Sequence, residues 1–435
     1  MTLAPSRPAR PARPGAAVPD LTAPTARLLA LLDERRPGWG LPGACYTDPE
    51  LHEVDLRLVW QRQWVFVGSV AEVPEPGDYL TVDLGSASVL VLRDDDGDVR
   101  AFRNVCRHRG ARLVAESHGS VGNIVCGYHR WTYGTDGALL HAPQLPPEAD
   151  PACLGLRTVH LRDVAGLLFV CLAPEPPDDL DTVADVVTPY LEPHAIARTK
   201  VAAQVDLVER GNWKLTMENN RECYHCDGHP ELLCSLFPTW GLAEHQVPER
   251  LRADHDRYLR AETDLLNRCD AMGLPHALVE DLVRRPVGFR VQREPLDGLG
   301  ESFSETGGRL VRRLLGDLTD AKLGRLGLHL QPNTWFHAMA DHVVTFAALP
   351  LTHDSTLVRT TWLVDADAAE GVDYDVEELT ATWRATNEQD AAFVELTQAG
   401  VADPGYEPGP YSEAEDQVEA FVSWYAARVR EEAAR

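Results

Sequence analysis

The sequence predicts an α+β protein in two parts: a β-rich first part and a larger second part built on an antiparallel sheet. Three observations carry this. From Asp78 to about residue 173, short runs alternate apolar and polar residues, the signature of half-buried strands. Pro and Asp then interrupt the pattern at 174–182, as a linker does. Beyond that point the order is strand, helices, strands, helices, which suits an antiparallel α+β sheet.

The elements follow in chain order. Residues 24–36 and 48–61 place apolar side chains three and four apart and read as helices. YLTVDL, SVLVLRD and VRAFRNV read as strands, with the turn signal DDDGD between the second and third, and LRTVHLR and GLLFVCLA complete the first part. In the second part, 200–208 reads as a strand, 211–229 as mostly helical, and 249–283 and 309–326 as helices. TWFHAM, HVVTFAALPL and TLVRTTWLV are the next strands, and helices at about 376–399 and 412–433 close the chain. The expected organisation is a disordered tail at 1–22, helices at 23–60 packing on the second domain, a first domain at 61–178 and a second at 179–435.

Composition narrows the function. In 435 residues no apolar run approaches the roughly 18 needed to span a membrane. A net charge of −26 argues against a nucleic-acid binder, which needs a basic footprint. Nine cysteines are too sparse for a disulfide scaffold. The Pro-, Ala- and Arg-rich start lacks the apolar core of a secretory signal, so the expected compartment is the cytoplasm.

The strongest signal is NVCRHRGARL followed by IVCGYHRWTYG. It gives Cys106-x-His108, seventeen residues, then Cys126-x-x-His129. A zinc finger pairs Cys with Cys and His with His along the chain, whereas here each loop carries one of each. That suits two irons, one taking both thiolates and the other both imidazoles. A Cys2His2 zinc site is the alternative. Arg107, Arg109, Arg112 and Arg130 flank these ligands. They read equally as a docking patch for an acidic electron donor or as braces for loop carbonyls and surface acids.

The second constellation is RECYHCDGHPEL. On a helix, His225 and His229 share one face and can meet one metal. With a carboxylate they make the facial triad of non-haem Fe(II) oxygenases. Asp390, on a late helix, is the expected third ligand, with Asp341 or Glu395 as fallbacks. Alone, H-x-x-x-H also fits a surface helix or, without H-E-x-x-H, weakly a zinc hydrolase.

The two Cys/His boxes resemble the Rieske [2Fe–2S] signature. With PGWGLPGACYTDPELHEVDLRLVWQRQWVFVG, GNWKLTMENNRECYHC, HPEL, DHVVTFAALPL, TNEQD and GPYSEAEDQVEAFVSWY, nearly the whole chain resembles the α subunit of a Rieske non-haem iron oxygenase. Within that superfamily it is similar to the branch acting on quaternary ammonium compounds. The resemblance implies a Rieske domain followed by a helix-grip catalytic domain, a [2Fe–2S] cluster on Cys106, His108, Cys126 and His129, and a mononuclear Fe(II) on His225, His229 and Asp390. It implies a ring-shaped homotrimer in which Glu222 bridges the cluster of one subunit to the iron of the next. It also implies an NAD(P)H-dependent flavin/ferredoxin reductase as electron source. The chain departs from the superfamily at one point: CDG separates the histidines where four residues are usual, and Asp227 becomes a rival to Glu222.

The reaction the resemblance implies uses O2 to hydroxylate an N-methyl carbon of a small cationic substrate. Glycine betaine is the first candidate, with choline, carnitine or proline betaine, or hydroxylation of an aromatic ring, as alternatives. Trp240, Trp335 and Phe336 are the aromatic residues offered for the trimethylammonium group; for any one of them ordinary core packing is the stronger reading.

Overall fold

The computed structural model describes residues 20–435, with the side chain of Asp227 outside the description. The predicted tail falls almost wholly on 1–19, outside the described residues. Helix α1 (Thr22–Glu34) begins where that tail was expected to end, followed by α2 (Ala44–Thr47) and α3 (Pro49–Asp55). Asp48 caps α3 by accepting from the Glu50 and Leu51 amides, with Pro49 in its first turn. The helix runs on through a π turn at Leu56–Trp60.

The β-rich part comprises β1 (Val65–Ser69), β2 (Asp78–Leu84), β3 (Ala87–Arg93), β4 (Val99–Arg103), β5 (His118–Ser120), β6 (Ile124–Val125), β7 (Thr132–Tyr133), β8 (Leu139–His141), β9 (His160–Val164) and β10 (Leu167–Cys171). They form three small antiparallel sheets, ordered β4-β3-β2-β5, β6-β7-β8 and β1-β10-β9.

The second part begins with α4 (Leu180–Leu191), β11 (Thr199–Glu209), α5 (Trp213–Asn219), α6 (Pro230–Leu233) and α7 (Arg252–Met272). Strands β12 (Val279–Asp281), β13 (Phe289–Glu294), β14 (Arg325–Leu330), β15 (Thr334–Ala338), β16 (Val343–Thr352) and β17 (Ser355–Asp365) follow, then α8 (Val376–Val401) and α9 (Asp416–Ala433). The sheet is antiparallel, in the order β11-β17-β16-β15-β14-β13-β12.

Strand alternation gives this sheet two different faces. Phe289, Val291, Leu326, Leu328, Phe336 and Ala338 point to one side and pack with Val183, Val187 and Leu191 of α4. The other side carries Arg290, Gln292, Glu294, Arg325, His329 and His337 toward a cavity. Helix α8 lies over that polar face: Asn387 Nδ2 donates to Thr360 Oγ1 and Thr382 Oγ1 to the Phe303 carbonyl. The α+β expectation is met: a β-rich first part is followed by a larger part of mixed helix and antiparallel sheet.

The N-terminal helices rest on the second part. Asp55 meets Lys214, Trp213 and Tyr425 in a buried network, Tyr46 donates to Glu218, and Arg35 pairs with Glu419.

Three helix expectations are corrected. Residues 309–324 are irregular, not helical; Val311, Leu315 and Leu323 anchor them to the core, and Asp341 accepts from the Leu310 and Val311 amides. A side chain at Gly324 would meet the Glu294 carbonyl at 2.1 Å, so β14 follows directly. The 249–283 helix is only α7, stopped by Gly273 at φ +67°. Of 211–229, only Trp213–Asn219 is α-helical, capped by Asn212 accepting from the Lys214 amide. Helix α4 and strands β12, β13 and β14 were not anticipated.

Candidate active site and cluster site

The two Cys/His loops have the same backbone design. The Cys106 amide donates to the Ala111 carbonyl, and its own carbonyl accepts from Gly110. The Cys126 amide donates to Trp131, and its carbonyl accepts from Arg130. The residue four after each cysteine is left-handed, Gly110 at φ +76° and Arg130 at φ +60°. At the second loop a non-glycine residue therefore carries that strain.

Both thiols are buried, Cys106 at 3% and Cys126 at 1% exposure, whereas His108 is exposed and His129 half-exposed. The two rings meet edge to face at 4.7 Å, and His108 stacks on Trp131 at 4.8 Å. Tyr133 closes the inner side. Its hydroxyl lies 3.3 Å from Cys106 Sγ and accepts from the Arg107 amide. Soft donors inside and imidazoles outside fit a two-iron, two-sulfide cluster with its histidine iron toward solvent. Of the neighbouring arginines, Arg107 donates to the Gly155 carbonyl and Arg112 pairs with Asp83. Arg109 lies over Tyr128, and Arg130 is exposed.

The second site forms where α5 runs out. His225 and His229 flank a single 3-10 turn at Cys226–Gly228 and do not share a helix face. The turn still brings the rings to 5.2 Å. Phe393, one turn beyond Asp390 on α8, packs edge-on against both. A side chain at Gly228 would press on Phe393 at 3.2 Å, which suits the short CDG link to glycine. Asp390 Oδ1 lies 3.2 Å from His225 Nε2 and 3.0 Å from His229 Nε2. Glu222 Oε1 takes the opposite side of His225, 2.6 Å from Nδ1. Burial pushes the His225 pKa down, but the Asp390 and Glu222 carboxylates outweigh it and raise it to about 9. Burial likewise raises Asp390, and the two imidazoles overcome it to hold the carboxyl below its usual range.

The donor set fits a mononuclear iron. His229 is fully buried, yet among the described residues neither of its ring nitrogens has a hydrogen-bond partner of good geometry, a cost that a metal removes. Cys226 Sγ is within 4.8 Å of the imidazole donors but is joined to Cys223 in a disulfide, so the carboxylate is the better third donor. The fallback acids are engaged elsewhere: Asp341 with His342 and two amides, Glu395 with Arg210.

A cavity of about 370 Å³ opens over these residues. Trp240 lines it, with the Arg325 guanidinium 4.7 Å from its ring centre. Phe336 does not; alternation turns it into the core behind the sheet. Trp335 shares the cavity face but is covered by Phe346, stacked at 5.0 Å. The aromatic wall is instead Phe303 and Trp383, 4.9 Å apart, with His337 stacked on Trp383.

Residues 63–161 match the Rieske [2Fe–2S] domain family, and residues 196–431 match the ring hydroxylating alpha subunit (catalytic domain) family. The chain belongs to the Rieske non-haem iron oxygenase α subunits. The oxygenase is 41% identical to the glycine betaine monooxygenase oxygenase subunit of Chromohalobacter salexigens, over 91% of this chain and 87% of that one. It is 37% identical to the subunit of the same name from Pseudomonas aeruginosa, over 92% and 91%. Among solved structures it is similar in fold to the quaternary ammonium Rieske monooxygenase CntA, with a TM-score of 0.67 at 19% identity, covering 92% of this chain and 98% of that one. Like its relatives, the oxygenase is one component of a multi-component system and uses a [2Fe–2S] cluster and a mononuclear iron. No helix among the described residues is long and apolar enough to cross a membrane.

Proposed function

We propose that the oxygenase hydroxylates an N-methyl carbon of glycine betaine, with the cluster on Cys106, His108, Cys126 and His129 and the iron on His225, His229 and Asp390. One observation carries the reading: His225, His229 and Asp390 converge beneath a small cavity walled by Phe303, Trp383 and Trp240. Aromatic faces attract a trimethylammonium group through their quadrupoles, and the carboxylates of Glu222, Glu294 and Asp390 add negative charge nearby. The similarity to glycine betaine monooxygenase subunits supports the same substrate.

The chain's own residues hold and orient. Iron bound at the triad, supplied with electrons from the [2Fe–2S] cluster, contributes the reductive activation of O2. Glu222 fixes the ring of His225 by accepting at Nδ1, which leaves Nε2 facing Asp390. His229 is fully buried, which keeps water from its side of the site. The hydroxylated methyl collapses by losing its hydroxyl proton and breaking the C–N bond, giving formaldehyde and dimethylglycine. One oxygen atom of O2 enters formaldehyde. The other leaves as water, using two electrons from NAD(P)H and two protons.

The reading includes a separate NAD(P)H-dependent flavin/ferredoxin reductase, a cytoplasmic location and a homotrimer. In that trimer Glu222 reaches a cluster imidazole of a neighbouring subunit; Tyr224 beside it is 69% exposed, which suits an interface. Three alanine variants at His225, His229 and Asp390 test the site. Each is expected to lose the mononuclear iron by metal analysis, keep the Rieske spectrum, and stop releasing formaldehyde from glycine betaine. Full iron content in Asp390→Ala, or O2 uptake with glycine betaine but no formaldehyde in the wild type, would overturn the proposal.

A further inference from the structure

The cavity has a second pole. Its sheet wall and the segment before His225 bring three arginines together around His329, namely Arg221, Arg290 and Arg325. Two of them have carboxylate partners. Arg290 pairs with Glu280 and donates to Gln292, and Arg325 pairs with Glu294 and donates to His337.

Arg221 has no carboxylate partner among the described residues. Its Nη2 donates to Gln331 Oε1 at 3.0 Å, its Nη1 donates to Asn220 Oδ1 at 3.3 Å, and its Nε has no acceptor among the described residues. The residue is 1% exposed. Gln331 Nε2 is also a buried donor without a partner among the described residues. Donors thus outnumber acceptors here, around a guanidinium that burial brings down only to about 9, so it keeps its charge at neutral pH. A buried cation with no counter-ion is costly, and the missing element is an anion.

We infer that Arg221, steadied by Gln331, binds the carboxylate of the substrate, so that the oxygenase selects a trimethylammonium zwitterion over an analogue with an uncharged tail. This rests on the active-site reading above. One methylene separates ammonium from carboxylate in glycine betaine, so both poles fit one small cavity. The aromatic wall takes the methyl groups and Arg221 takes the carboxylate, which sets which end of the molecule faces the triad. Choline offers Arg221 only a neutral hydroxyl.

The test is calorimetric binding to the holoenzyme of glycine betaine, choline and tetramethylammonium, in the wild type, Arg221→Gln and Gln331→Glu. Gln331→Glu keeps the side-chain shape and supplies Arg221 with an internal carboxylate that competes with the ligand's. Both variants are expected to weaken glycine betaine at least about thirty-fold, the loss typical of removing one partner of a buried charge pair. Tetramethylammonium should stay within about twofold. If Arg221→Gln fails to fold, Gln331→Glu decides alone. Unchanged glycine betaine affinity, or equal losses for all three ligands, overturns the role of Arg221 and leaves the substrate reading standing. A wild type that prefers choline to glycine betaine overturns the substrate reading together with this one.

Discussion

The junction between the N-terminal helices and the catalytic part turns on one buried carboxylate. Asp55 is 1% exposed, and it accepts from Lys214 Nζ, from Trp213 Nε1 at 3.2 Å and from Tyr425 OH at 2.6 Å. Lys214 is fully buried; besides Asp55 it meets the rings of Trp213 and Tyr425, about 5 Å away, and feels the charge of Glu218, which makes no hydrogen bond to it. Asp55→Ala therefore strands a buried ammonium, which costs about 3–5 kcal/mol. It also leaves the tyrosine hydroxyl and the indole N–H unpaired, at about 1 kcal/mol each. The expected loss is about 5–7 kcal/mol, enough to melt the junction near physiological temperature. Adding Lys214→Met removes the stranded charge and should recover at least half. Urea unfolding followed by far-UV circular dichroism measures both. Because Trp213 and Lys214 open the helix that leads to His225, the single variant should also lose iron while keeping its cluster spectrum. An Asp55→Ala loss below about 1 kcal/mol, or a double variant less stable than the single, would refute the stranded-charge argument.

Three further outcomes are expected. Glu222→Gln should keep both metal centres but slow single-turnover oxidation of the pre-reduced cluster, because an amide presents only one acceptor oxygen where the bridge needs two; wild-type rates would remove the bridge. Cys106→Ser should abolish the reduced Rieske electron-paramagnetic signal without emptying the iron triad, and retention of that signal would reassign the ligand. Glu209, 3% exposed, has its pKa raised to about 7 by burial, with the Asp390 charge adding to this against the Thr216 hydrogen bond. The stability that comes from its folded-state proton is complete below about pH 4.5 and lost as pH rises through 7. Glu209→Gln should therefore match the wild type near pH 4.5 and be more stable by up to about 3 kcal/mol at pH 8, and parallel stability–pH curves would contradict it.

What the sequence revealed and what it hid follow the range of the interactions involved. Strands β2, β3, β16 and β17 were legible because each pairs with its sequence neighbour and buries a regular alternation. Strands β13 and β14 were not. They pair across an irregular stretch of some thirty residues, and their cavity face carries Arg290, Glu294, Arg325 and His329, which reads as a polar loop until the buried side of the sheet is known. The expected helix at 309–326 failed for a related reason. Val311, Leu315 and Leu318 have helical spacing but serve as separate anchors for a segment that the Asp341 carboxylate and two glycines, Gly316 and Gly324, hold in an irregular path.

The cluster ligands were legible because soft donors at fixed spacing leave few alternatives, and the loops are closed by their own local hydrogen bonds. Asp390 lies 161 residues beyond His229, and only the packing of α8 across the sheet joins them. It was singled out as an acid beside polar groups on a late helix, where burial without a partner is costly, and the 3.0 Å approach to His229 supplies that partner. Substrate residues are harder still, because an aromatic side chain serves a core as well as a cavity. A one-residue step along β15 separates Phe336, in the core, from His337, in the cavity. The same logic makes Arg221 informative. A buried hydrophobic residue explains itself, and a paired ion explains its partner. A buried guanidinium that, among the described residues, is hydrogen-bonded only to neutral amides is accounted for by neither the fold nor the two metal centres, so its explanation lies in the molecule that the cavity binds.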